Sequence, residues 1–420
     1  MKTLLVYPNM PLQFSLPHSI GRVSSALKES GDDVRLFDTT MYLSDGQTDE
    51  EKRIARGQIQ SYEVRGLKDT DMFEDFNKTI DEFNPDRMMI TFVDNTVDIG
   101  MKLLKSNKKK IYTVAGGVSV ILGAERFKSP LINKLCTGSV EQMLFPNNPN
   151  IELMDDWTVF DPERLSRPMS GKYYKTIPLL TDNSCPYTCG FCSAPSLKKI
   201  MGYKRKSLES VIKELNFQVK THNPKFIYFS SETFFSMPIN DFRKFAETYK
   251  KVGLPFWCQT HVNTINEERV ELLREMNCHR VAVGIECGNE QYRRGMIGKK
   301  FTNEKAVKVF RLLSKYGIQA SSNNIVGLPM ETKELMDDTV ELNRKIYNEM
   351  SDVQLNCYVY QPYHGTRLRS YCKNKGLLRK VEPNSVLGDP VIDNPSVKDS
   401  TIMDYCNNFD KLVKGSGDNG

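Results

Sequence analysis

No stretch of this 420-residue chain is apolar for long enough to cross a bilayer; its hydrophobic runs are short and broken by polar residues, against the roughly 20 residues a spanning helix needs. No secretory leader is expected either. The first apolar run is Leu4 to Tyr7, ended by Pro8 and Asn9, which reads as a β-strand, so the chain is expected in the cytoplasm. Histidine is scarce, at five residues, which counts against a His-rich metal centre. Neither sign of charge dominates: 58 basic against 52 acidic residues leave +6, enough to tolerate an anionic ligand without implying nucleic acid. No basic groove interleaved with aromatics is visible, so nucleic acid is not an expected partner. The one dense basic run, Lys105 and Lys108 to Lys110, reads as a solvated helix end. No G-x-G-x-x-G follows the first strand, which argues against a nicotinamide or flavin dinucleotide. The chain has no second C-x2-C pair near its cysteine motif, as a structural zinc site would want.

What is present is a length suited to two or three domains, with 39% hydrophobic residues to build their cores. Residues 2–138 alternate strand and helix patterns. Strands are expected at Thr3–Tyr7, Val34–Phe37, Met88–Val93, Ile111–Ala115 and Ile132–Cys136. Phe73, Phe76, Ile80 and Phe83 form a helical stripe between the second and third. Such repetition predicts a doubly wound parallel sheet, which binds ligands beyond the carboxyl ends of its strands. Those ends carry Asn9, Asp38, Gly116-Gly117 and Gly138-Ser139. Residues 41–70 are polar and read as an irregular insertion.

Ten cysteines in a chain expected in the cytoplasm are not read as disulfides. Seven are scattered and read as small core residues. The other three, Cys185, Cys189 and Cys192, form C-x3-C-x2-C. Three thiolates on one loop suit a 4Fe–4S cluster with one iron left open. From Ile177 to Tyr360 six further strands alternate with helix patterns: Ile177–Thr181, Phe226–Phe229, Phe256–Gln259, Arg280–Ile285, Gln319–Val326 and Val353–Val359. Six βα units fit a partial (β/α)6 barrel with its site at the strands' carboxyl ends.

The cysteine motif, with Phe191 before its last Cys, resembles the signature of the radical SAM superfamily. After it, in the family's order, come Ser230-Ser231-Glu232, Gln259-Thr260-His261, Gly284-Ile285-Glu286, Asn324 to Gly327-Leu328-Pro329 with Glu331, and Pro362 to Gly365-Thr366. The resemblance implies that S-adenosylmethionine chelates the open iron and is cleaved reductively to a 5′-deoxyadenosyl radical. It implies cofactor contacts from Phe191, Ser231, Glu232, Gln259, Glu286, Asn324 and Gly327, with Lys299 or Lys300 facing the methionyl carboxylate. It also implies an electron donor such as flavodoxin or ferredoxin. Cys287 stands where the family has Ser.

Tyr7-Pro8-Asn9, Val34 to Asp38 and Ala115-Gly116-Gly117 make the N-terminal third resemble the cobalamin-binding domain found ahead of many radical SAM enzymes. That resemblance implies cobalamin contacts from Asn9, Asp38, Gly116, Gly117 and Gly138. Gly138-Ser139-Val140-Glu141 departs from the family's Gly-Glu-Gly-Glu. His18 matches half of a cobalt-ligating D-x-H-x-x-G motif, but Leu16 stands in place of the Asp, so the lower face is expected to lack a histidine. The expected architecture is α/β: a Rossmann-like cobalamin-binding-type domain at 1–150, a linker at 151–172, a partial TIM barrel at 173–378, and an irregular extension at 379–420 with a helix near Ile402–Val413 and a frayed end. A cobalamin-dependent methyltransferase acting on an unactivated carbon or phosphorus of a small molecule or lipid precursor is the leading reading. A radical cyclase or rearrangement enzyme is the alternative on the same scaffold, and a metal- or cobalamin-sensing regulator is the alternative of another class.

Overall fold

The structure is a computed structural model that describes residues 1–43, 46–148, 151–182, 184–203 and 205–415. Residues 416–420 of the expected frayed end, 44–45 of the expected insertion, and 149–150 at the expected domain edge lie outside the described residues. The chain divides into two compact units: residues 1–52, 61–173 and 382–384, and residues 53–60, 174–381 and 385–420.

The first unit holds five strands: Lys2–Tyr7 (β1), Asp33–Asp38 (β2), Arg87–Thr91 (β3), Tyr112–Gly116 (β4) and Lys134–Leu135 (β5). They form one sheet in the order β2-β1-β3-β4-β5, and every pairing is parallel. β1 is interior and buried on both faces (Leu4, Leu5 and Val6 are at most 1% exposed), which explains its unbroken apolar sequence. The strand order reverses between β1 and β3, and ligands of such sheets bind beside that switch. The stripe expected near Phe76 is the helix Met72–Phe83, which starts on an Asp71 cap and buries Phe76, Ile80 and Phe83.

The insertion is more ordered than its composition suggests. Asp49–Ala55 is a helix, begun by Thr48 and Glu51: the Glu51 carboxylate accepts from the Thr48 N–H at 2.7 Å, and the Thr48 hydroxyl accepts from the Glu51 N–H at 3.2 Å. That reciprocal T-x-x-E cap is a helix start that polarity alone hides. Residues 53–60, which begin within this helix, belong to the second unit, where Gln58 donates to the Cys357 carbonyl at 3.3 Å and Arg56 to that of Leu387 at 3.1 Å.

The second sheet runs Ser166–Met169 (β6), Lys172–Leu179 (β7), Phe226–Phe229 (β8), Phe256–His261 (β9), Cys278–Glu286 (β10), Gln319–Val326 (β11) and Gln354–Val359 (β12). Its order is sequential, β6 to β12, and β7 to β12 are parallel. β12 and β6 are its two edges, so this is a partial barrel. All six expected barrel strands are present. β6 was not expected; it reaches β7 through Ser170 and Gly171, both at positive φ (48° and 75°), as in a type I′ hairpin turn.

Side-chain alternation separates two faces. Phe256 packs on Tyr249 of the helix Ile239–Val252. Ser322 and Asn324 meet Asn343 of the helix Lys333–Glu349, and Cys357 meets Cys406 of the helix Asp399–Lys414. The alternate residues of each strand therefore face into the barrel.

Candidate active site

The cysteine loop leaves the carboxyl end of β7 and is fixed ahead of its first cysteine and at its centre. Before it, the Ser231 hydroxyl accepts from the Thr181 N–H at 2.7 Å and lies 2.9 Å from the Thr181 hydroxyl. At its centre the Gly190 N–H donates to the Ile297 carbonyl at 2.7 Å, while the Gly190 carbonyl accepts from the Leu368 N–H at 2.9 Å. A Cβ on Gly190 would lie 2.5 Å from the Arg367 guanidinium. Phe191 packs against the buried cluster that contains Cys287, Leu328 and Leu368. Cys287 is fully buried in that cluster, as a small core residue.

Cys185, Cys189 and Cys192 are free, partly buried thiols. Burial pushes their pKa values up, Cys189 to about 11 and Cys192 to about 12. Such thiols stay protonated until a metal takes them as thiolates. Groups are already set to donate to sulfur: the Ala194 N–H lies 3.4 Å from Cys192 Sγ, and the Thr233 hydroxyl 3.3 Å from Cys185 Sγ. Among the described residues no three His, Cys, Asp or Glu groups converge as ligands of one ion. Three cysteines of an iron–sulfur cube bind three different irons, so the donor set fits a cluster better than a single metal.

Around this loop the other strand ends bring carboxylates, a lysine and an imidazole. Glu232 is exposed at its own surface, yet desolvation, then the Asp182 charge, raises its pKa. Asp182 itself is pushed up to about 6, chiefly by burial; it accepts from the Ser236 hydroxyl, and its Oδ1 has no partner among the described residues. Sequence reasoning passed over Asp182, although it stands three residues ahead of Cys185. Glu286 sits at φ +68° beyond a register shift in β10. Its carboxylate pairs with Lys299 Nζ at 2.9 Å, and Lys299 also donates to the Gly284 carbonyl at 2.7 Å. Lys299, expected to meet a methionyl carboxylate, is thus already engaged. Gln259 lies on the inward row of β9 with His261, whose ring stacks on Tyr187.

Three expected contacts are occupied otherwise. Asn324 is fully buried on the outward face; its amide donates to Asn356 O at 3.1 Å and accepts from Asn343 Nδ2 at 2.8 Å. Asn323, one residue earlier, faces inward instead. Gly327 adopts φ +74°, and a Cβ there would lie 3.0 Å from Ile402; its N–H donates to Glu331 at 2.7 Å, as does that of Leu328 at 3.1 Å. The G-L-P-x-E segment is therefore a turn closed on its own buried carboxylate. Ser231 is spent on Thr181, as above.

The interior of the barrel is polar. Its inward rows include Gln259, Arg280, Gln319, Ser321, Asn323, Gln354 and Asn356, placed side by side by the strand registers. A bonded chain runs through them: Arg280 donates to Gln319 at 2.8 Å and to Gln354, Gln354 to Asn356 at 3.0 Å, and Asn356 to Asn323 at 2.8 Å. Barrel interiors are ordinarily filled by branched aliphatic residues.

In the first unit the expected cofactor residues do structural work. Asn9 donates to the Gln13 carbonyl at 2.9 Å and to the Thr40 hydroxyl at 2.8 Å. Asp38 pairs with the buried Arg164 at 2.8 Å and borders a cavity of about 410 Å³ that Arg35, Arg65, Lys68 and Tyr173 also line. Gly116 ends β4 and Gly117 follows it at the sheet's carboxyl edge. A Cβ on Gly117 (φ +96°) would lie 2.5 Å from Thr91 Oγ1 and 2.6 Å from Phe92 O, so only glycine fits there. Gly138 precedes Ser139, which caps the helix Val140–Leu144 through a reciprocal Gln142 box. His18 opens the helix His18–Glu29, and its Nδ1 lies 2.5 Å from Asp155 Oδ2. The carboxylate that Leu16 does not supply thus comes from 137 residues downstream. The small residues at this edge fit a cofactor held by backbone and shape; the Asn9 amide N–H groups and the Asp38 carboxylate are engaged within the unit.

Residues 180–342 match the radical SAM superfamily. The chain is 26% identical over 356 residues to an uncharacterised methyltransferase of Pyrococcus horikoshii, covering 75% of each chain. It is 28% identical over 230 residues to the anaerobic magnesium-protoporphyrin IX monomethyl ester cyclase of Rubrivivax gelatinosus, covering 52% of this chain and 39% of that one. Among solved structures it is similar to the radical S-adenosylmethionine methyltransferase TsrM of Kitasatospora setae with cobalamin and a 4Fe–4S cluster bound, with a TM-score of 0.63 at 15% identity over 89% of this chain and 75% of that chain. The cobalamin-dependent S-adenosylmethionine radical enzyme OxsB, with aqua-cobalamin and S-adenosylmethionine bound, gives 0.52 at 16% identity over 82% and 52%. At these identities the structural likeness is one of fold.

Proposed function

From the match of residues 180–342 to the radical SAM superfamily, on a fold shared with cobalamin-dependent members, we propose that the chain cleaves S-adenosylmethionine reductively and transfers a methyl group to an unactivated centre of a polar small molecule. The observation that carries this reading is the gathering of Cys185, Cys189 and Cys192 on one pinned loop at the mouth of the barrel, beside Glu232 and the Glu286–Lys299 pair.

In this reading the three cysteines hold the 4Fe–4S cluster, and a flavodoxin- or ferredoxin-type donor supplies its electron. With cluster and S-adenosylmethionine bound, one electron breaks a carbon–sulfur bond to give methionine and a 5′-deoxyadenosyl radical. Glu232 holds the methionyl ammonium as a charge-assisted partner. Lys299 keeps the Glu286 carboxylate in place for the ribose. The backbone of Gly116-Gly117 and Gly138-Ser139 holds cobalamin, whose chemistry is to carry the methyl group.

The substrate reading rests on the barrel interior. Asn323 and Asn356 are bonded within the chain above, which leaves the Gln259 amide on the same inward surface, where an apolar chain would leave it unsatisfied at a cost of about 1–3 kcal/mol. That favours a polar small molecule over a lipid precursor. A second reading, a radical cyclase or rearrangement enzyme without methyl transfer, draws on the helix-capping use of Gly138-Ser139 in place of an acidic segment. Anaerobic reconstitution with iron, sulfide and hydroxocobalamin, then incubation with methyl-deuterated S-adenosylmethionine, separates the two. Stoichiometric corrinoid that takes up the labelled methyl supports methyl transfer; 5′-deoxyadenosine without retained corrinoid supports the second reading.

A further inference from the structure

The helix Ala194–Met201 begins two residues after Cys192, and the Ala194 N–H lies 3.4 Å from Cys192 Sγ. At a rise of about 1.5 Å per residue, Ile200 is roughly 9 Å along the axis from that contact. Lys198 ties the helix back to the cysteine loop by donating to the Pro186 carbonyl at 3.1 Å. Ala194, Leu197 and Met201 fall on one helical face, with Ile200 beside them. This apolar stripe starts in the interior and runs out into solvent. Ala194 is buried, but Ile200 is 53% exposed and Met201 38%, and Tyr203, just past the helix, is 37% exposed. Apolar side chains exposed singly are ordinary; a contiguous group of them marks an interaction surface.

The charge of the same segment narrows the partner. Residues 193–208 contain five lysines and arginines and no acid, against a net +6 for the whole chain. Lys206 is neutralised by Glu214, and Arg205 acts on the Asp182 carboxylate. Lys198 and Lys199 have no carboxylate within ion-pair distance among the described residues. An apolar centre flanked by unpaired cations fits an acidic protein surface: the cations steer the encounter and the apolar side chains hold it. Reductive cleavage needs one electron from outside the chain, delivered beside the cysteine loop. We propose that the exposed end of the helix Ala194–Met201, with Tyr203, is the docking surface for an acidic electron-transfer protein of the flavodoxin or ferredoxin type. In that complex the donor's reduced flavin or iron–sulfur centre loses one electron and the cluster held by Cys185, Cys189 and Cys192 gains it; no bond forms or breaks. Redox encounters of this kind use small interfaces, which suits a patch of this extent. The inference rests on the radical SAM reading above and adds where its electron enters.

The test titrates the reconstituted full chain with a flavodoxin and with a ferredoxin, both acidic, in two readouts. Calorimetry with the oxidised donors measures binding without turnover. Formation of 5′-deoxyadenosine is followed with the reduced donors and, separately, with dithionite, which needs no docking. The variants are Lys199→Glu/Ile200→Ser on the patch and Lys308→Glu, an exposed charge on the helix Asn303–Lys315. The expected result is binding of at least one donor that weakens with added salt. K199E/I200S should bind it about ten-fold more weakly, with a matching rise in the donor KM. K308E should keep wild-type values, and iron content and dithionite-supported rates should stay at the wild-type level in both. Wild-type donor affinity in K199E/I200S, an equal loss in K308E, a parallel loss of the dithionite-supported rate, or binding of neither donor would overturn the proposal; so would binding of anionic vesicles or duplex DNA in place of both donors. A fully loaded wild-type protein that forms no 5′-deoxyadenosine with dithionite would overturn the functional reading instead, while calorimetry would still judge the docking surface.

Discussion

The Glu286 carboxylate closes on the Lys299 ammonium at 2.9 Å directly over Gly284, with both side chains at most 10% exposed. A Cβ on Gly284 would overlap the Glu286 oxygen and lie 2.7 Å from Lys299 Nζ. The glycine of Gly-Ile-Glu is therefore where the pair lies down. Removing one partner strands the other charge in a buried site, at a cost of about 3–5 kcal/mol. Glu286→Gln is accordingly expected to destabilise the cluster-free protein by about 3 kcal/mol in urea unfolding, and Gly284→Ala by a comparable amount. The double variant Glu286→Gln/Lys299→Met is expected to recover most of the loss. Additive losses would contradict this account of the pair.

The ten cysteines should separate into two classes. Single Ala variants of Cys185, Cys189 and Cys192 are each expected to lose bound iron to background after reconstitution. Cys287→Ala, in the apolar cluster beneath Phe191, should keep its iron and lose about 1 kcal/mol of stability. Iron loss from Cys287→Ala would make it a ligand rather than a core residue.

Glu331 gives a pH signature. Burial raises its carboxyl from 4.5 to about 8, against the lowering effect of the Leu328 and Gly327 N–H groups. Between those values the folded state holds a proton that the unfolded state has released, so stability is greatest below the lower value and falls as pH rises toward the upper. The slope from this one group is at most about 1.4 kcal/mol per pH unit. Glu331→Gln still accepts from both N–H groups, and its stability should be flatter across this window. Parallel wild-type and E331Q profiles would contradict the assignment.

Gly117 tests the first unit alone. At φ +96° and against Thr91 and Phe92, Ala is expected to cost at least about 1 kcal/mol and to lower hydroxocobalamin retention, while iron bound by the second unit stays at the wild-type level. Unchanged corrinoid retention in a folded Gly117→Ala variant would remove this edge from the cofactor site.

The strands were legible because their apolar runs are local, and so were the three cysteines because their spacing is local. What stayed hidden depends on residues far apart in the chain. Nothing near Leu16 points to Asp155 as the partner of His18, and nothing near Arg280 points to Gln319 and Gln354. Asn324 and Asn323 are indistinguishable in sequence; one residue of strand phase sends the first to Asn343 and the second into the barrel. The Glu286–Lys299 pair depended on a bulge that register alone reveals. Asp49–Ala55 was hidden by polarity, although Thr48 and Glu51 spell its cap.

The central claim, reductive cleavage of S-adenosylmethionine at the three-cysteine loop, is tested most directly by quantifying 5′-deoxyadenosine from the anaerobically reconstituted protein with S-adenosylmethionine and dithionite. The account predicts 5′-deoxyadenosine that requires the reductant and is absent from the Cys185→Ala, Cys189→Ala and Cys192→Ala variants. A fully loaded wild-type protein that forms no more than those variants would contradict it.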